Sequence, residues 1–129
     1  MSSNIAHITF LVRNYDEAIS WFSSALNFKL FEDMPLQGDK RWVVVGPDTQ
    51  HGARFLLAQA ADPEQIAQIG KAAGGRVAFF LHTTNFAADH ARMLAAGVVF
   101  NEQPRHEIYG TVAVFSDLYG NKWDLLQKT

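Results

Sequence analysis

The chain has 129 residues, 48% hydrophobic and 19% charged, with a formal net charge of −2 at pH 7 and no cysteine. That is the scale of one globular domain able to bury a core, and it excludes disulfides, thiolate metal sites and a cysteine nucleophile. With no run of Lys or Arg there is no electrostatic footprint for nucleic acid or an anionic membrane.

Residues 5–12 are rich in β-formers and predict a first strand. Asn14-Tyr15-Asp16-Glu17 then offers a cap oxygen with Glu three residues on, which starts a helix. Ala18, Ile19, Phe22, Ala25 and Leu26 follow at helical spacing, and Asn27 can close the helix in the left-handed conformation. Strands are expected at 28–33, 41–46 and 53–60. Asp62-Pro63 opens a connecting helix over 62–73, with Pro where its missing N–H is harmless, and Gly74-Gly75 marks the joint. Val77–Leu81 is the next strand, Thr84 or Asn85 a cap, Phe86–Ala96 a helix and Gly97 its stop. Strands at 98–102, 111–116 and 122–127 complete the chain.

The chain overlays itself at a shift of seventy residues. Phe10 and Leu11 fall on Phe80 and Leu81, Ala18 on Ala88, Ala25 on Ala95, and Val44 on Val114. Two extra residues in the first half then bring Gly52-Ala53-Arg54-Phe55-Leu56-Leu57-Ala58-Gln59 onto Gly120-Asn121-Lys122-Trp123-Asp124-Leu125-Leu126-Gln127. Two similar halves, each strand, helix and three strands, define the expected α+β architecture. Module 1 spans about 4–60 and module 2 about 75–128 of a single domain, 1–129. No segment has the apolar length of a membrane span, and Met1-Ser2-Ser3-Asn4 has no basic or apolar leader character, so a cytoplasmic chain is expected. No phosphate loop, G-x-G-x-x-G, G-x-S-x-G or H-E-x-x-H occurs.

Two tandem βαβββ modules, the opening His7-Ile8-Thr9-Phe10-Leu11-Val12 and the closing Asp117-Leu118-Tyr119-Gly120-Asn121-Lys122-Trp123-Asp124 resemble the vicinal oxygen chelate superfamily. It includes glyoxalase I, bleomycin-resistance proteins and extradiol dioxygenases. The closing run is similar to the family's Asp-Pro-x-Gly-Asn-x-x-Glu signature, with Leu118 in place of Pro. The resemblance implies an open, cup-shaped mixed sheet with helices outside, and a homodimer. It also implies a divalent metal (Zn, Ni, Mn or Fe) held from the first and last strands of each module.

Carried over residue by residue, those ligand positions are His7, Leu56, Val77 and Asp124, of which only His7 and Asp124 have donors. Catalytic metal sites usually keep at least three protein ligands, so any ion held here is expected to be weakly bound. The other histidines do not restore the set: His82 lies near a strand end, His90 in the second helix, and His51 and His106 in loops. By strand alternation Asp124 faces the cleft, where a carboxylate needs a partner; Arg41 and Arg54 are candidates for a salt bridge.

Two functions follow. The first is a small-molecule-binding protein with an incomplete metal site, taking an apolar or planar ligand in an aromatic cleft lined by Arg41, Trp42, Leu56, Phe79, Tyr109 and Phe115. The second is a metal-assisted lyase, isomerase or dioxygenase in which His7 and Asp124 are the catalytic and metal-binding residues. The missing donors rank the binding protein ahead.

Overall fold

The structure, a computed structural model, describes residues 2–129. It divides into two compact units, the first reaching Ile69 and the second spanning Gly70–Thr129. No helix among the described residues is long and apolar enough to cross a membrane.

In the first unit, β1 (His7–Val12) leads into α1 (Tyr15–Leu26), followed by β2 (Lys29–Pro35), β3 (Arg41–Gly46), β4 (Arg54–Gln59) and α2 (Pro63–Gln68). Asn14 caps α1 by accepting from the Glu17 amide at 2.9 Å, and Asn27 ends it at φ 56°, both as the sequence predicts. The sheet order is β1-β4-β3-β2, with β1 parallel to β4 and the other pairs antiparallel. Phe22 of α1 is fully buried against the ring of Phe10 at 5.2 Å, Phe28 at 5.3 Å and Phe55 at 5.9 Å. These contacts define the helix-facing side of the sheet. Alternation therefore sends His7, Thr9, Trp42, Val44 and Leu56 to the other face.

The second unit repeats the plan. β5 (Val77–His82) and α3 (Phe86–Ala95) are followed by β6 (Val99–Phe100), β7 (Arg105–Glu107), β8 (Gly110–Ser116) and β9 (Lys122–Lys128). Its sheet order, β5-β9-β8-β6 with β7 also on β8, matches the first unit strand for strand, including the parallel first pair. Asn85 is the cap of α3 and Gly97 follows it at φ 89°. Phe115, Trp123 and Leu125 form the core beneath α3, with Phe115 and Trp123 stacked at 5.5 Å. The fold is α+β with two mixed open sheets, as expected from the repeat.

Apart from shifts of one or two residues at element ends, three elements differ from the sequence reading. The connecting helix ends at Gln68 rather than near 73, because the chain turns at Gly70 with φ 81°. A Cβ at Gly70 would collide with the Tyr119 carbonyl oxygen, so only glycine fits this approach to the β8–β9 loop. The strand expected at 98–102 covers only two residues, since the Glu102 side chain, not a further strand residue, takes the Val114 amide at 3.0 Å. A short strand also lies at Arg105–Glu107, which places His106 on β7 and not in a loop.

Candidate functional site

On the helix-free face of the first unit, Trp42 sits edge-on to His7 with centroids 5.7 Å apart, and its Nε1–H donates to Glu32 at 3.3 Å. A cleft of about 680 Å³ opens beside it, with Trp42, Leu56, Ala58 and Leu36 as apolar walls and Arg41 and Lys40 among its polar groups. Arg41 is fixed in place. It bonds both oxygens of Asp33, at 3.2 and 2.8 Å, and Asp16 at 3.0 Å, while its guanidinium lies 5.1 Å from the Tyr15 ring centroid. The Asp33 and Asp16 hydrogen bonds raise the Arg41 pKa further above its ordinary value. Its charge is thus largely met inside its own unit, and Arg54 stacks over Phe31 at 3.4 Å. His7 lines a different cavity, of about 800 Å³, together with His51 and Arg54.

In the second unit Asp124 stands in register between Phe80 of β5 and Val114 of β8. Phe79 packs on Trp123 at 4.9 Å, which assigns Phe79 to the core side and turns Phe80, 61% exposed, to the face of Asp124. Glu102 receives two bonds from Arg105 Nε, at 3.0 and 2.9 Å, and Arg105 Nη1 donates to Glu107 at 2.8 Å. Asp124 is left with Oδ1 buried and without a hydrogen-bond partner. Burial pushes its carboxyl pKa up; the charge of Arg105 opposes that shift and the charge of Glu102 adds to it.

The family signature run has a structural task. Asp117 is buried, and its two carboxylate oxygens accept from the amides of Tyr119 and Asn121, from Asn121 Nδ2 and from Trp123 Nε1, all within 3.1 Å. Asn121 in turn accepts from the Ala72 amide at 3.0 Å. This network fixes the turn that launches β9, and so the position of Asp124. Leu118 serves in place of proline because side-chain bonds hold the turn.

Several expected ligand contacts need revision. Phe115 is 0% exposed in the core, and Phe79 packs on Trp123, so neither is on the Asp124 face. Tyr109 is half-exposed at the tip of the β7–β8 hairpin. Trp42, Leu56 and Arg41 do line one cleft. Within its own unit the charges acting on Asp124 are Arg105 and Glu102, neither of which the sequence singles out; the expected partners Arg41 and Arg54 engage Asp33 and Asp16, and the Phe31 ring, within the first unit. Neither Glu102 nor Phe80 stands out in the sequence as a site residue. Alternation from Val77 would put Phe79 on the cleft face; a register shift between Val77 and Phe79 puts Phe80 there instead, and Glu102 and Arg105, flanking Gln103-Pro104, carry no signal beyond an acid and a base three residues apart.

The donor set does not fit the family's metal. Leu56 and Val77 offer no lone pair, and among the described residues no group of three or more His, Asp or Glu side chains could hold an ion.

With paired βαβββ units, a signature turn and this cleft, the chain belongs to the Glyoxalase/Bleomycin resistance protein/Dioxygenase superfamily, whose profile matches residues 4–125. An uncharacterized protein of Shewanella frigidimarina (strain NCIMB 400) is 51% identical over 128 residues, covering 98% of this chain and 95% of that one. Among solved structures, UcmS2 is 30% identical with a TM-score of 0.82 over 98% of each chain. TnmS3, an antibiotic binding protein from Streptomyces sp. CB03234, is 24% identical with a TM-score of 0.77, over 99% of this chain and 98% of that one.

Proposed function

We propose that this protein binds an apolar or planar small molecule in the cleft walled by Trp42 and Leu56. The observation that carries the reading is the chemistry at position 56. Where the family places a metal ligand, this chain has a leucine that forms part of an apolar cleft wall. An apolar pocket with a few fixed polar groups suits recognition of a flat organic molecule, and Trp42 supplies a stacking surface. The fold of TnmS3 is shared, and that protein is an antibiotic binder.

Calorimetric titration with planar aromatic probes tests the reading. Trp42→Ala should weaken binding about tenfold, in line with the loss of a buried aromatic anchor. A protein that takes up none of the probes would remove the proposal. The metal-assisted reading rests on His7 and Asp124 alone, a donor set too small for the family's site. Elemental analysis of the untagged protein after incubation with Zn, Ni, Mn and Fe(II) separates the two. Well under one metal per chain is expected; near-stoichiometric metal that vanishes in His7→Ala would put the enzyme in place of the binding protein.

A further inference from the structure

The cleft of the first unit contains a hydroxyl that uses only half of its hydrogen-bonding capacity. Tyr15 is the first residue of α1, and the Asn14 cap fixes the turn on which it stands. Its side chain meets the start of β3, where the Arg41 guanidinium lies 5.1 Å from the ring centroid and the Arg41 amide donates to the phenolic oxygen at 3.2 Å. Tyr15 is 6% exposed and lines the cleft of about 680 Å³ together with Arg41, Trp42 and Leu56. A phenol is both donor and acceptor, yet among the described residues nothing accepts from the Tyr15 O–H. Buried tyrosine hydroxyls usually find a partner, and the N–H that this oxygen accepts polarises the O–H and makes it a better donor.

Its polar neighbours at the cleft are committed elsewhere. The Arg41 guanidinium holds Asp33 and Asp16, Trp42 Nε1 donates to Glu32, and Gln65 Oε1 accepts from the Ala61 amide at 2.8 Å. Asp39 and Lys40, also in the lining, are adjacent and opposite in charge. The fixed charges therefore do not call for an ion, and what completes the free donor is a neutral oxygen.

We propose that the Tyr15 hydroxyl is the polar anchor of this cleft, donating its O–H to the carbonyl oxygen of an uncharged planar molecule whose flat body lies against Trp42 and Leu56. This rests on the small-molecule-binding reading and deepens it, from a planar ligand to one that carries a ketone, quinone or amide oxygen at its edge.

The test compares 9-fluorenone with fluorene, flat tricycles of the same outline that differ by one carbonyl, by equilibrium dialysis on the intact chain. Fluorenone should bind about fivefold more tightly, the measure of one neutral hydrogen bond. Tyr15→Phe keeps the ring and removes the O–H; it should weaken fluorenone by about that fivefold and leave fluorene within about twofold. Trp42→Ala should weaken both probes. In the infrared, the carbonyl stretch of fluorenone bound to the wild type should lie below its frequency in cyclohexane, stay there in Lys40→Ala and rise in Tyr15→Phe. Equal affinity of the wild type for the two probes, or fluorenone binding unchanged by Tyr15→Phe, overturns the anchor, while the binding reading stands on the loss of both probes in Trp42→Ala. A stretch that is unshifted in the wild type, or whose shift is lost in Lys40→Ala, overturns the anchor too, because the bond is then absent or comes from another donor. If Tyr15→Phe loses fluorene as well, the cleft itself has changed and the stretch in the wild type and Lys40→Ala decides. Uptake of neither probe by the wild type removes the binding reading and the anchor with it.

Discussion

Asp124 and Asp117 sit seven residues apart and illustrate opposite fates of a carboxylate in one small unit. Asp117 accepts four hydrogen bonds, from two amides, an Asn side chain and an indole. Asp117→Ala orphans all four donors at once and should destabilise the fold by about 3 kcal/mol or more, read from urea unfolding. Asp124 is strained electrostatically instead. Its pKa is raised above the ordinary 3.8, first by desolvation and then by Glu102, with Arg105 opposing. Between the unfolded and the raised folded value the native state binds more protons than the unfolded chain, so stability falls as pH climbs through that window. Below the unfolded value both states are protonated and the penalty is absent. Asp124→Asn should therefore raise Tm by about 1–3 °C at pH 7 and by nothing measurable at pH 3. A gap that widens on acidification would contradict the sign.

At the level of elements, the short helix α2 and the joint after it show where sequence patterns reach their limit. Asn14, Asn27, Asn85 and Gly97 terminate their helices where local chemistry says they should. The end of α2 carries a local signal as well, since Gly70 stands two residues past Gln68 as Gly97 stands two past Ala95, but the expected helix runs on through it to residue 73. Gly70 must pass the Tyr119 carbonyl at positive φ, and that constraint lives in a loop fifty residues away. Gly70→Ala combines a collision with a left-handed backbone, and should destabilise by about 2–3 kcal/mol. Gly74→Ala, at φ 61° with open space around its Cβ, should lose only about 1 kcal/mol in the same urea titration. The strand β7 was missed for a related reason: its three residues, Arg-His-Glu, carry no apolar alternation, and the β8 ladder alone makes them a strand. The site was legible only in part. Trp42, Leu56 and Arg41 could be named from their positions, but Phe115 looked like a ligand wall until its burial put it under α3.

At the scale of the whole molecule the repeat is the organising fact, since both units carry the same strand order and the same parallel first pair. That order leaves β1 and β5 each at an edge of its sheet, where unpaired backbone groups invite another strand or a covering surface. Ile5, 72% exposed, precedes β1 at one edge of the first unit's sheet, and Met34 (50%) and Leu36 (48%) lie on or just after β2 at the opposite edge. Covering such side chains removes roughly 25 cal/mol per Å² of apolar area from water, and a second copy, the assembly that the family resemblance implies, is the cover we expect. Sedimentation velocity at micromolar concentration should give a dimer. Ile5→Asp with Met34→Asp, one at each edge of the sheet, should shift it toward monomer by at least tenfold in Kd, because each change puts a charge where an apolar side chain is exposed. The far-ultraviolet dichroism of the pair should not change, as neither side chain belongs to the buried core. A wild-type chain that sediments only as a monomer would overturn the expectation of a second copy, and a double variant that stays dimeric would move the interface away from these two edges.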